Sequence, residues 1–346
     1  MWKYCLKRIG LALMTSFIIL SLTYLLIQCL PFERPIGMLH DQYAYYEKQV
    51  ADGFVVSFPQ ARPDQGELLF KYDIPGTNDT MFYYEKGVIA QYTQWLTNIV
   101  TRWDWGVSSH IKMGVSAMSI IGEQLTYTVK INIFATLISV PLGIILGIIA
   151  ALKKNSALDH FLSTATMVMV SIPSFVLITF LMLLLCYNNQ LLPSQWPADS
   201  APTNIKILGY IMPVCCLSFG SVAGYCRFVR AELCEVMSSE YLLLARTKGL
   251  TKRQAIIRHA LRNAMVPIIP AILGEVIGLL GGATILERLY GIPGIGRLYI
   301  DALGAKDYNV LFVDMAVFTT IGLLAGIVFD LSYGFIDPRI RMGGKK

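Results

Sequence analysis

Two ionisable residues lie where a polypeptide seldom keeps a charge. Glu275 occupies the middle of a long apolar run, and Lys130 stands two residues before another. A charged side chain in hydrocarbon is costly and normally faces a partner or an aqueous path. Glu275 is therefore expected to line a translocation cavity, with Gly274 and Gly278 letting a solute or another chain approach. Its charge suits an ammonium group or a cationic solute. Lys130 can supply a counter-charge on that path or snorkel to the interface, and its position allows both. Asp314 and Asp330 flank a third apolar run. Asp314 is read as solvated at a helix end.

Nothing in this pattern assembles a catalyst. His259 has no nucleophile or carboxylate spaced around it and is read as a packed or loop-satisfied histidine. Seven cysteines (Cys5, Cys29, Cys186, Cys215, Cys216, Cys226 and Cys234) lie in or beside apolar runs, without zinc-like spacing or a disulfide framework. They read as small apolar packers. No G-x-x-x-x-G-K-S/T phosphate loop occurs, and the terminal Gly-Gly-Lys-Lys lacks the strand and helix such a loop needs. The chain is expected to carry no catalytic residue, no metal site and no cofactor.

A second group of residues would work by contact. Ala231–Lys248 reads as a helix, and Gly249 supplies the left-handed residue that ends it, with Leu250 covering the last turn against Ala245. Thr251 and Gln254 have capping-box spacing and start a further helix, followed by Asn263 and an apolar run. Helix, glycine stop and capped helix make an elbow suited to docking in a partner's groove. A membrane-surface helix with a solvated charged face is the alternative.

These residues must be positioned by apolar elements. Of 346 residues 55% are hydrophobic and 15% charged, and the mean hydropathy is +0.54, whereas soluble domains are about a quarter charged. Six stretches reach the roughly 20 residues a bilayer-crossing helix needs: Ile9–Leu30, Asn132–Leu152, Phe161–Tyr187, Ile207–Tyr225, Ala264–Leu286 and Val310–Ile336. Pro141, Pro173, Pro213, Pro267 and Pro270 fall inside them, which lipid-embedded helices tolerate. Gly278, Gly281, Gly282, Gly322 and Gly326 are spaced for close helix contact. The first stretch lacks a cleavage site and reads as a retained helix.

With the N-terminus inside, seventeen Lys and Arg residues fall on cytoplasmic segments and four on the two short outer loops, which fixes the orientation. Both termini and the Arg227–Arg262 loop are then cytoplasmic. The net charge of +6 is a topology signal and gives no case for nucleic acid. Pro31–Met118 forms an outer segment, rich in tyrosine, whose last part (Gln91–Trp105) has the spacing of an amphipathic helix. That helix belongs either at the membrane interface or in the core of a small outer domain.

Glu240-Tyr-Leu-Leu-Leu-Ala-Arg-Thr-Lys-Gly249 and Arg258-His-Ala-Leu-Arg-Asn-Ala264 resemble the EAA–glycine loop of ABC importer permeases. The form is that of the B-type subunit in the oligopeptide, dipeptide and nickel family. Asp104-Trp-Gly-Val-Ser108, Val140-Pro-Leu-Gly143, Asn155-Ser156 with Asp159, and Ser171-Ile-Pro-Ser-Phe175 are similar to the same family. So are Gly291-Ile-Pro-Gly-Ile-Gly-Arg297, Asp330-Leu-Ser-Tyr333 and Asp337-Pro-Arg-Ile-Arg341. The matches keep the family's order over about two thirds of the chain. Pro31-Phe-Glu-Arg-Pro35 departs from the family's proline-glycine-acid stretch, and the outer segment is longer than the minimal pattern.

The resemblance implies an all-α integral membrane protein with about six transmembrane helices in a type I ABC importer permease arrangement. It divides the chain into an N-terminal helix (1–30), an extracytoplasmic segment (31–118), a permease core (119–341, coupling loop about 231–263) and a cytoplasmic tail (342–346). It implies ATP-driven import of oligopeptides or dipeptides by alternating access, with nickel or another small solute as the alternative substrate. The ATPase-coupling residues would be Glu240, Tyr241, Ala245, Arg246, Lys248, Gly249 and Leu250. Asp330 would be structural, paired with Arg339. Implied partners are a second, different permease, two cytoplasmic ATPases carrying the ATP and Mg, and an extracytoplasmic substrate-binding protein, in the lipid of a prokaryotic cell membrane. A secondary transporter working without ATP would show inverted repeats, and a membrane enzyme would show clustered reactive groups; the sequence shows neither.

Overall fold

A computed structural model of the chain describes residues 2–30, 35, 37–76, 79–278 and 282–336. Pro31–Arg34 of the outer segment's start, Gly281, the Asp337–Arg341 stretch with Arg339, and the 342–346 tail lie outside the described residues.

The long helices are predominantly apolar and leave much of that surface uncovered within the chain, which suits a lipid environment. Five helical runs are long and apolar enough to cross a membrane: Leu6–Gln28 in α1 (Trp2–Gln28), α4 (Ala117–Leu152), α7 (Thr203–Met237), the run Lys252–Gly278, and Tyr308–Phe329 in α13 (Tyr308–Ile336). A sixth comes from α5 (Ala157–Ser171) and α6 (Ser174–Leu181), which continues as a π-turn to Asn188 and is bent by 94° from α5. Pro173 sits at this break, with Ile172 extended before it, the conformation proline favours in its predecessor. Pro141 and Pro213 lie inside unbroken helices.

The chain divides into two units, and the division falls within α1, α4 and α13. One unit comprises Met1–Arg8, Thr126–Arg297 and Ile321–Lys346. Its packing centres on α4, α7 and α10 (Leu261–Gly278), where Tyr225, Val229 and Ile268 are buried against Val140, Ile144 and Ile148. Close approach of α4 to α7 depends on Gly143 and Gly147. A Cβ on Gly143 would meet Tyr225 Cβ at 2.5 Å, and one on Gly147 would meet the Cys226 carbonyl oxygen at 2.7 Å. Gly278, Gly322 and Gly326, expected to make such contacts, have no atom of another element within 4 Å of a built Cβ among the described residues.

The other unit comprises Ile9–Leu125 and Leu298–Thr320. It contains a three-stranded antiparallel sheet of order β1-β3-β2, formed by β1 (Val55–Phe58), β2 (Leu68–Asp73) and β3 (Thr80–Glu85). Val55 pairs with Glu85, and Asp73 with Thr80. Tyr45 and Tyr46 of α2 (Leu39–Ala51) pack with Phe70, Tyr72 and Tyr83 of the sheet, so the tyrosines of the outer segment form an aromatic core. The expected amphipathic helix is α3 (Val88–Arg102), closed by Trp103 at φ +54.

Several sequence expectations change in detail. Ala231–Lys248 is not one helix: α7 ends at Met237 and α8 (Glu240–Thr247) starts after Ser239, which has extended backbone. The helix begun at Thr251 runs without interruption through Asn263 to Gly278, passing a π-turn at Ile256–Ala260. The described part of the fifth span ends at Gly278, and Thr284–Leu286 belong to a separate helix, α11 (Thr284–Tyr290). Asp314 is buried inside α13 and not solvated at its end. His259 is exposed. Cys186, Cys216 and Cys226 are buried as packers, but Cys29 and Cys215 are exposed.

Candidate functional site

The elbow expected around Gly249 is built from α8 and α9 (Lys252–Ala255). Gly249 has φ +95 and no heavy atom within 4 Å of a built Cβ, so backbone conformation alone demands glycine there. The Leu250 N–H reaches back to the Ala245 carbonyl at 3.4 Å. Thr251 caps α9 through its hydroxyl, which accepts the Gln254 N–H, while the Gln254 side chain accepts the Thr251 N–H. Both halves of the capping box are present, as the spacing predicts.

Burial separates the faces of α8. Leu242 is buried with Leu233, Ala255, Ile256 and Ala260, fastening the elbow to the ends of α7 and α10. Tyr241, Leu243 and Leu244 are exposed, as are Glu240, Arg246 and Lys248, while Ala245 and Leu250 are half-buried. Beside them lies a cavity of about 200 Å³ lined by Met237, Ser239, Leu243, Arg246 and Lys252 among others. Three exposed apolar side chains next to a basic-rimmed hollow form a surface that a protein partner can cover.

The second candidate centre lies in the helices. The Tyr225 hydroxyl of α7 lies beside the Glu275 carboxyl of α10. Glu275 Oε2 is buried and has no hydrogen-bond partner among the described residues. Lys130 is exposed on α4, and no ion pair joins it to Glu275 among the described residues. Gly274 packs under the Phe329 ring.

Sequence reasoning did not assign a role to three other carboxylates. Asp159 is 1% exposed and receives both Arg230 Nε and Nη2, at 2.6 and 2.9 Å. Glu287 is buried and accepts Thr128 Oγ1 at 2.9 Å and the Arg297 N–H at 3.0 Å. Asp307 Oδ2 accepts Ser108 Oγ and the N–H groups of Ser109, His110 and Ile111. Because most of the donors to Glu287 and Asp307 are backbone groups, the only sequence signals were the Gly-Ile-Pro-Gly-Ile-Gly and Asp-Trp-Gly-Val-Ser runs.

Residues 143–342 match the model of the binding-protein-dependent transport system inner membrane component family. The chain belongs to that family. It is 32% identical over 343 residues to the dipeptide transport system permease protein of Lactococcus lactis, covering 99% of this chain and 100% of the relative. It is 30% identical to the dipeptide transport system permease protein of Bacillus subtilis, over 78% of this chain and 87% of that one. To the oligopeptide transport system permease protein of Haemophilus influenzae it is 27% identical, over 99% and 100%. Among solved structures, a methionine ABC transporter chain superposes with a TM-score of 0.50 at 15% identity, over 64% of this chain and 97% of that one. That likeness is one of fold, and it agrees with the type I importer permease arrangement. The permease is thus an inner-membrane component of a binding-protein-dependent transporter.

Proposed function

We propose that the permease imports short peptides, forming half of a translocation path whose other half is a second, different permease chain. The observation that carries this reading is the elbow: a positive-φ glycine and a complete capping box hold Tyr241, Leu243 and Leu244 outward over a buried Leu242. Two cytoplasmic ATPases, holding the ATP and Mg, would dock on Glu240, Tyr241, Ala245, Arg246, Lys248, Gly249 and Leu250. A binding protein would deliver the substrate from outside. The relatives named for dipeptide and oligopeptide transport support the substrate class. Both termini would then lie in the cytoplasm of a prokaryotic cell, a placement the distribution of Lys and Arg supports.

Glu275 would line the path in a state that uncovers its buried Oε2, where it would meet an ammonium group, with Lys130 as an outlying counter-charge. The open surfaces at Gly278, Gly322 and Gly326 suit contact with the second permease. The docking face is tested by Leu244→Ser, which removes an exposed leucine without touching the core. Burying a leucine is worth about 1.5–3 kcal/mol, so ATPase retention on purified complexes should fall by roughly tenfold or more. Unchanged retention with normal uptake would overturn the docking role.

A further inference from the structure

Helix α3 carries an apolar surface that no described residue covers. Ile89 is 79% exposed, Val100 77% and Trp103 67%. With Thr93 and the half-buried Leu96 between them, Ile89 and Val100 are linked by steps of four, three and four, one stripe about 16 Å long, and Trp103 stands at its end as the left-handed cap. No charged residue occurs in α3 before Arg102, although a helix face turned to water ordinarily carries several. The threonines of this region do not offer their hydroxyls outward. Thr93, Thr97 and Thr101 donate to the backbone carbonyls of Ala90, Thr93 and Thr97, at 3.0, 2.8 and 2.6 Å, so their methyl groups remain to face the surroundings.

The opposite side of α3 fixes its depth. Trp95 stacks on Tyr24 of α1 at 4.6 Å and meets Phe312 of α13 edge-on at 5.3 Å. The Tyr92 hydroxyl donates to Ser21 Oγ at 2.9 Å. Ser21 lies seven residues before the end of α1 at Gln28, roughly 10 Å inside it. Helix α3 therefore packs beside the last turns of α1 and the first turns of α13. Leu22 and Leu26 of α1 are exposed as well, as expected of a helix long and apolar enough to meet lipid.

We infer that α3 is a membrane-lying helix whose Ile89–Val100–Trp103 stripe beds in the phospholipid headgroup–acyl boundary, holding the aromatic sheet unit against the bilayer. Phospholipid is favoured over a protein partner because the stripe is uncharged, its hydroxyls are internally satisfied, and it ends in a tryptophan, a residue enriched at this boundary.

The test places an environment-sensitive fluorescent amino acid at position 89 or 100 of the full chain, assembled with its partner subunits in phosphatidylethanolamine–phosphatidylglycerol vesicles. Position 26 on α1 and position 71 on β2 serve as references, since Leu26 is 64% exposed and the Lys71 side chain 55%. Lipids brominated high in the acyl chain should quench positions 89 and 100 at least half as strongly as position 26, and leave position 71 unaffected. Quenching at 26 with 89 and 100 behaving like 71 overturns the inference. Shielding of 89 and 100 from both brominated lipid and aqueous iodide overturns it equally, since a protein then covers the stripe.

Discussion

Arg230→Met should destabilise the permease through a single stranded carboxylate. Asp159 is almost wholly buried, whereas the Arg230 side chain is 31% exposed. Its other donors are the Asn155 N–H at 2.9 Å and Ser163 Oγ at 3.4 Å. Removing one member of a buried pair costs about 3–5 kcal/mol. Here the partial exposure of Arg230 and the two surviving donors offset part of that loss, so about 2–3 kcal/mol is expected. At roughly 2 °C per kcal/mol for a long chain, the unfolding midpoint should fall by roughly 4–6 °C. Asp159→Asn should cost less, because the stranded guanidinium can reach water. The double variant Asp159→Asn with Arg230→Met should be more stable than the sum of the single losses implies, by about 1–2 kcal/mol. Thermal unfolding followed by tryptophan fluorescence in detergent measures all three. A midpoint within about 1 °C of the parent for Arg230→Met, or strict additivity in the double variant, would refute the reasoning.

Other variants probe other joints. Gly249→Val asks a β-branched residue to adopt φ +95, at about 1–3 kcal/mol; ATPase retention and coupled uptake should fall together while the helical content seen by circular dichroism is kept. Gly294→Ala drives a methyl into Glu287 and to 2.6 Å from Thr128 Oγ1, an overpacking cost of about 1–3 kcal/mol, so the folded yield on size exclusion should drop, whereas Gly304→Ala, with nothing within 4 Å, should leave it unchanged. Burial and the nearby Asp104 raise the Asp52 carboxyl above its ordinary range, against the pull of Lys48 and Arg102, and the residue caps the C-terminal end of α2. A raised folded-state value favours folding at low pH and loses that favour as pH rises through it. Asp52→Asn should therefore slow proteolysis of the outer segment at neutral pH, by about 0.3–1 kcal/mol of local stability, and make no difference near about pH 3.

What the sequence revealed depended on whether a feature is local. Gly249 and the Thr251–Gln254 box are written in adjacent residues, and the structure has both. The apolar runs were legible for the same reason, since length and hydropathy suffice to mark a span. Their breaks were not. Pro173 ends a helix while Pro141 and Pro213 do not, and only the surrounding packing decides between a tolerated proline and a bend. The sheet of the outer segment was hidden because its tyrosines do not alternate cleanly between faces; the burial of β3 puts Tyr83 and Tyr84 both inside. The face of α3 could not be assigned until its contacts with Tyr24 and Phe312 fixed which side was covered.

The buried carboxylates supply what the apolar helices lack. Leucine and isoleucine meet lipid tails as readily as they meet one another, so apolar spans gain little from any one register against their neighbours. A collar of donors around an anion has far less freedom. Asp159 joins the start of α5 to Arg230 of α7. Glu287 draws Thr128 of α4, Arg297 and its own helix α11 into one small volume, with Gly294 leaving room beside Glu287 and Gly296 beside Thr284. Asp307 collects the 108–111 loop with its Oδ2 and caps α13 through Oδ1, which accepts the Val310 N–H. Each carboxylate lies at a joint between elements and not in the middle of a span. Losing any of these anions should therefore disturb the alignment of elements while leaving each helix formed.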